Sequence, residues 1–303
     1  MSLPINTTLV SRYFTANTPV PGLSVFSGLF AVIIFSLTAP LTTIALEAFS
    51  PAFIACMRAM IAGALSIAAV LWFKWPMPKG RDLVWLSVGG AGIALIFPFS
   101  LAQSLLNWQA SEIGIVLAGL PFVTALIAVG LFKEKTTKQF WMSLLVGSML
   151  LVLFAYSQSN GVLYPSLFLM LLAAGFGYAM GGHVAKRLGG FQTICWMMVL
   201  YFPISLFGTG YFAMENAASF TSANAQALLA LVYLAVMSQW IGFHFWYESM
   251  VNIGIAKTGQ LQLLQPFFTL GFAVPLLGYT LTLSHVTFAV LITGSVWLLR
   301  RSQ

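Results

Sequence analysis

Residues 111–147 read SEIGIVLAGLPFVTALIAVGLFKEKTTKQFWMSLLVG. Past Glu112 the run 112–132 is apolar, and it is long enough to cross a bilayer, which takes ~20 residues as a helix. Pro121 sits midway in it. Lys133, Lys135 and Lys138 close it in a short basic loop, and a second apolar run starts at 138.

The same pattern recurs outward in both directions. Ten spans are expected, at 22–44, 51–73, 83–105, 112–132, 138–157, 163–185, 192–213, 225–248, 257–277 and 283–299. Only 6% of the 303 residues are charged and 60% are apolar. A soluble domain is about a quarter charged, so this composition excludes one. The spans are too long for the ~10-residue strands of a membrane barrel. The expected fold is all-α, with ten transmembrane helices.

Charge sets the orientation. With the N-terminus cytoplasmic, one side holds Arg12, Lys74, Lys79, Arg81, Lys133, Lys135, Lys138, Lys186, Arg187, Lys257, Arg300 and Arg301. That is twelve of the thirteen Lys and Arg; the remaining one, Arg58, lies inside the second span. Basic residues in short loops stay inside, so both termini are expected in the cytoplasm of a bacterial-type inner membrane. The net charge of +7 then faces anionic lipid, not nucleic acid. Residues 1–21 lack the apolar core of a signal peptide. Cys56 and Cys195 both fall in spans and read as small apolar residues.

Shifted by 145 residues, the chain matches itself. Pro121 falls on Pro266, Phe122 on Phe267, Thr124 on Thr269, Ala128 on Ala273, Asn107 on Asn252 and Gly114 on Gly259. A shift of 139–140 places Cys56 on Cys195 and overlays the first span on the sixth. Lys133, Lys135 and Lys138 fall on Gly278, Thr280 and Leu283, while Lys186 and Arg187 fall on Leu46 and Glu47. Equivalent loops differ in charge, as loops on opposite faces should. Two five-helix repeats, 22–157 and 163–300, follow a cytoplasmic segment 1–21. Five is odd, so the second repeat is inverted. Inverted repeats mark secondary transporters, with the substrate near mid-membrane between the halves.

These segments resemble the EamA branch of the drug/metabolite transporter superfamily. The opening stretch is similar to the end of its first repeat, with Pro121, Glu134 and Gly147 in the expected places. PAFIACMRAMIAGAL (51–65) resembles its second span, with Arg58 and Ala62 as the Arg-x-x-x-Ala pair, and AAGFGYAMGGHVAKRLGG (173–190) resembles its sixth. The chain departs from the pattern at Tyr279, where a Glu is often found, and in the ninth span, which carries Lys257 and three glutamines. The resemblance implies a 5+5 layout, export as the direction of transport, a shared structural arginine at position 58, and a sixth helix facing the cavity through Tyr178.

Polar residues inside spans are the candidate site. Thr258, Gln262, Gln265 and Thr269 recur at i, i+4, i+7 and i+11, on one helix face. Such a face meets either substrate or a neighbouring helix. Pro266 frees backbone carbonyls beside it, and Pro121 is its repeat counterpart. In the eighth span, Gln239, Trp240 and His244 form a broad aromatic and polar face. Tyr247 and Glu248, at its end, read as interface anchors. Arg58 is costly in lipid. It either receives a substrate carboxylate, pairs with Glu47 or Glu112, or snorkels outward. Glu112 is a helix cap or a proton-coupling carboxylate. Ala173, Gly177, Gly181 and Ala185 make a row of small residues that packs within the bundle or against a second copy in a homodimer.

The sequence holds no metal cluster, phosphate loop or nucleophile elbow, so neither an enzyme nor a cofactor is expected. The function expected is secondary transport of a small organic metabolite, amino acid-like or similar, by alternating access, with protons as the candidate coupling ion. A non-transporting membrane sensor or assembly protein on the same scaffold and a passive channel are the alternatives.

Overall fold

The computed structural model describes residues 21–132, 137–158, 164–215, 224–280 and 282–301. The N-terminal segment 1–20 and the loop holding Glu134 lie outside these residues. Among the described residues there is helix and no strand. We number the helices by the expected spans. They are α1 (Pro21–Ser36 and Thr38–Leu46), α2 (Pro51–Phe73), α3 (Arg81–Gly90, a π-helical stretch Ala91–Ile96, then Phe97–Leu105) and α4 (Ala110–Leu117 and Leu120–Phe132). Next come α5 (Lys138–Gln158), α6 (Pro165–Leu188) and α7 (Gly190–Glu215). The last are α8 (Ala225–Tyr233, a π-helical stretch Leu234–Gly242, then Phe243–Ile253), α9 (Ile255–Leu261, a 3-10 turn Gln262–Leu264, then Gln265–Leu277) and α10 (Leu283–Arg301).

Among the described residues, seven helices, α1–α4 and α6–α8, are long and apolar enough to cross a membrane. The other three expected spans hold shorter apolar helices: Leu145–Phe154, Gln262–Leu277 and Leu283–Gly294. Local sequence explains the boundaries. Ser50 caps α2 by accepting from the Phe53 N–H at 3.3 Å, and Pro51 follows at the first helical position. Asn224 caps α8 by accepting from the Ala227 N–H at 2.7 Å. Large apolar side chains such as Phe26, Trp72, Phe207 and Leu229 point outward, as they do where the solvent is lipid.

The packing repeats itself. α2 packs on α7, α4 on α9 and α5 on α10; α1 packs on α8 as α3 packs on α6, and α1 on α9 as α4 on α6. Exchanging the two halves maps each of these contacts onto itself or onto another. The irregularities are paired too. The π-helical stretches of α3 and α8 overlap at the shift of 145, and α4 and α9 both lose α-helical geometry just before Pro121 and Pro266. A proline lacks its N–H and crowds the preceding turn, so the aligned prolines break both helices at equivalent positions.

The joints at the two ends of α2 differ. At its C-terminal end, Arg187 of α6 forms an ion pair with Asp82 of α3, its Nε donating to Oδ2 at 3.3 Å. His183 Nε2 lies 3.2 Å from Nη1 of the same arginine. The equivalent joint, between α1 and α8, is apolar: Ala45, Phe49, Phe53, Ala227, Leu231 and Leu234 are buried together.

Candidate functional site

One proline shapes the centre of the molecule. In α3 the Phe97 N–H bonds to the Gly92 carbonyl, one residue further back than in an α-helix. In that register the next N–H would serve the Ile93 carbonyl, but the next residue is Pro98, which has none. Gln239 fills the gap from the π-helical stretch of α8, its Nε2 donating to the Ile93 oxygen at 2.7 Å. Its Oε1 then accepts from Nη2 of Arg58 at 2.9 Å.

Arg58 is fully buried. Nη2 also donates to Ser238 Oγ at 3.4 Å. Nε and Nη1 have no acceptor among the described residues. Neither Glu47 nor Glu112 is its partner, contrary to one of the expectations. Helix geometry explains why: Arg58 lies seven residues past Pro51, about 10 Å down the axis, whereas Glu47 is exposed in the turn before that helix. Glu112 is a cap: it accepts the Gln109 N–H at 2.7 Å, completing a capping box at the start of α4. Between α9 and α10, Tyr279 has its pKa raised, first by burial and then by the Glu112 carboxylate.

Ser238 connects this centre to a cavity. Its hydroxyl shares a hydrogen with Thr38 Oγ1 at 2.9 Å. The cavity is lined by Phe35, Thr38, Phe97, Leu117, Leu120, Tyr178, Ser238, Phe243 and Gln265. These residues come from α1, α3, α4, α6, α8 and α9, which are three repeat-equivalent pairs. Leu120 and Gln265 occupy the same place in the two halves at the shift of 145. The space left for water centres is about 10 Å³, roughly one water molecule.

The ninth helix brings a second polar group to this wall. Gln262 Nε2 donates to Gln265 Oε1 at 3.2 Å and to the Tyr178 hydroxyl at 3.4 Å. Its own Oε1 is buried with no donor among the described residues. The Tyr178 ring packs on Trp246, 5.3 Å away, and on Phe243, 5.9 Å away.

Of the expected site residues, Tyr178 and Gln265 line the cavity. Gln262 stands directly behind them, and Gln239 and Arg58 stand behind Ser238. Pro121 and Pro266 are buried at the helix breaks that set Leu120 and Gln265 in place. Three residues lie elsewhere. Trp240 and His244 pack on Phe191 at the start of α7, with ring centroids 5.4 and 4.8 Å away. Thr269 faces α4: a Cβ on Gly114 would lie 2.7 Å from its methyl. Thr258 bonds Ser249 at 3.1 Å, so the end of the stripe serves helix packing.

Tyr247 corrects the reading of the eighth span's end. It is fully buried and donates to the Gly177 carbonyl at 2.9 Å. Its ring fills the space left by Gly181 of α6, Gly177 packs on Ile93 of α3, and Ala173 and Ala185 are buried, so that row packs inside the chain and is not open to a second copy. The cavity's apolar wall was not foreseen, because Phe35, Phe97, Leu117, Leu120 and Phe243 look like any other apolar residues of a span. The self-match was the usable signal, since it pairs Leu120 with Gln265.

Comparison with known proteins agrees with this architecture. The chain is 36% identical over 247 residues to the "Uncharacterized transporter YdeK" of Bacillus subtilis, covering 80% of this chain and 85% of the relative. It is 23% identical over 288 residues to a "Probable amino-acid metabolite efflux pump" of Salmonella typhimurium, covering 90% and 93% of the two chains. A crystal structure with 17% sequence identity superposes with a TM-score of 0.58 over 91% of this chain and 97% of the other, a likeness of fold. The profile of the EamA-like transporter family matches residues 22–156 and again 163–301, one match in each repeat. The chain belongs to the EamA-like transporter family and is a multi-pass membrane transporter.

Proposed function

We propose that this chain moves a small organic metabolite, amino acid-like in size and character, across a bacterial inner membrane by alternating access, with export as its direction and both termini in the cytoplasm. One observation carries the reading. The cavity is assembled from three repeat-equivalent helix pairs, α1 with α6, α3 with α8 and α4 with α9. A site built this way lies where two inverted halves meet, and rocking them would open it to either side in turn. It holds about one water in this conformation, so cargo enters only when the halves part. Aromatic walls with a few polar tips suit an organic solute better than a bare ion. The efflux relative from Salmonella typhimurium, related over nine-tenths of both chains, supports an amino acid-like cargo and outward transport.

Counterflow tests this. Purified protein in liposomes, preloaded with one member of a metabolite panel, should show saturable uptake of labelled solute driven by the trans solute. Linear flux without trans-stimulation would indicate a channel, and absence of flux for the whole panel would indicate a non-transporting protein.

A further inference from the structure

Gln239 is fully buried, and both ends of its amide are engaged. Nε2 donates to the Ile93 carbonyl at 2.7 Å and lies 3.6 Å from Met198 Sδ, while Oε1 accepts from Arg58 Nη2 at 2.9 Å. Ile93 stands in the π-helical stretch of α3 and Gln239 in that of α8, so this bond ties the two irregular stretches together, one from each repeat. Their neighbours line the cavity: Phe97 directly follows the first stretch, and Ser238 directly precedes Gln239 in the second. The tie is one-sided. At the shift of 145, Pro98 falls on Phe243 and Gln239 falls on Ala94. Phe243 has an N–H of its own, which bonds the Trp240 carbonyl, and Ala94 carries no amide. The need that Pro98 creates in one half is therefore met by a side chain of the other.

We infer that Gln239 is a positioning residue for transport: it replaces the N–H that Pro98 lacks, fixes α3 against α8 across the repeat interface, and so keeps Phe97 and Ser238 in the cavity wall. An amide suits the place because it donates at one end and accepts at the other. The Ile93 carbonyl needs the donor, and Arg58 needs the acceptor. The inference rests on the cavity being the site of the transport proposed above.

Gln239→Glu separates the two bonds, since a carboxylate still accepts from Arg58 but has no hydrogen for Ile93. Pro98→Ala returns an N–H to α3 at the place that serves Ile93. Leu120→Cys, on the full chain with Cys56→Ala and Cys195→Ala, reports on the wall. Leu120 is buried, so a thiol there reacts with 2-aminoethyl methanethiosulfonate only as the wall opens. With Pro98 in place, Gln239→Glu should speed labelling about fivefold, the population change that one net hydrogen bond supports. In the Pro98→Ala background the same substitution should change the rate by less than about twofold. Equal acceleration in the two backgrounds, or acceleration in neither, overturns the inference. Should Gln239→Glu alone fail to fold, the double variant with Pro98→Ala should fold and elute as its parent does; an unfolded double variant overturns the inference. Labelling needs no cargo, so the two proposals fail separately. Rates without coupling between Pro98 and Gln239 remove the positioning role and leave transport standing, whereas no counterflow of any solute removes transport and leaves the coupled pair.

Discussion

Gly181→Ala should destabilise the protein, although alanine is the better helix former. Gly181 lies on α6 beneath the Tyr247 ring, and a Cβ there would overlap the hydroxyl oxygen and two ring carbons. The ring is fully buried, so it has little room to withdraw. Moving it breaks the 2.9 Å bond to the Gly177 carbonyl and disturbs the contact with Phe243, 5.8 Å away. Overpacking costs about 1–3 kcal/mol, and a buried hydroxyl left unsatisfied costs about 1–3 kcal/mol. Against these, the helix gains about 1 kcal/mol from alanine. The net loss is about 1–3 kcal/mol at the low to middle of those ranges. Equilibrium unfolding in mixed detergent, beside Gly271→Ala, measures it. Gly271 has open space around its Cβ position, so its alanine variant should be neutral or slightly stabilised. In a Tyr247→Leu background the penalty of Gly181→Ala should shrink, because the colliding ring is gone. A Gly181→Ala protein as stable as Gly271→Ala would refute the close approach of α6 and α8.

Gln265→Leu should abolish counterflow while leaving expression and melting behaviour near normal, and undiminished flux would remove α9 from the site. Gln239→Leu strips Arg58 of its shortest acceptor and the Ile93 carbonyl of its donor, so a loss of about 1–3 kcal/mol for each group left unpaired is expected on unfolding. Asp82→Asn breaks a partly exposed pair and should change stability by less than about 1 kcal/mol, with the difference fading as salt rises. Thr137→Cys and Thr282→Cys occupy equivalent exposed positions of the two repeats. A membrane-impermeant thiol reagent should reach the first from the cytoplasm and the second from outside, and labelling from one face would refute inversion.

Much of the architecture was legible in the chain because lipid enforces a simple rule: apolar runs of one length, with charge between them. The alignment of Pro121 with Pro266 went further, marking breaks at equivalent positions of two helices. The site was less legible. Arg58 and Gln239 are 181 positions apart, and no periodicity joins them; only the register imposed by Pro98 explains why a glutamine stands at that place. Tyr247 was misread because its distance from the end of a span says nothing about depth within a bundle. The notch left by Gly181, with the Gly177 carbonyl beside it, draws it into the core. Polar residues of α9 were correctly seen to share a face, but that face is long, so Thr258 and Thr269 meet neighbouring helices while Gln265 meets the cavity.

The unlike joints at the two ends of α2 have a practical corollary. Dissolved salt screens the guanidinium–carboxylate contact of Arg187 and Asp82 but has no charge to act on among Phe49, Phe53 and Leu231. Cooling does the reverse, since the cohesion of oily side chains fades in the cold. Ionic strength and temperature are therefore separate handles on the two joints, and added salt weakens the one while leaving the other untouched.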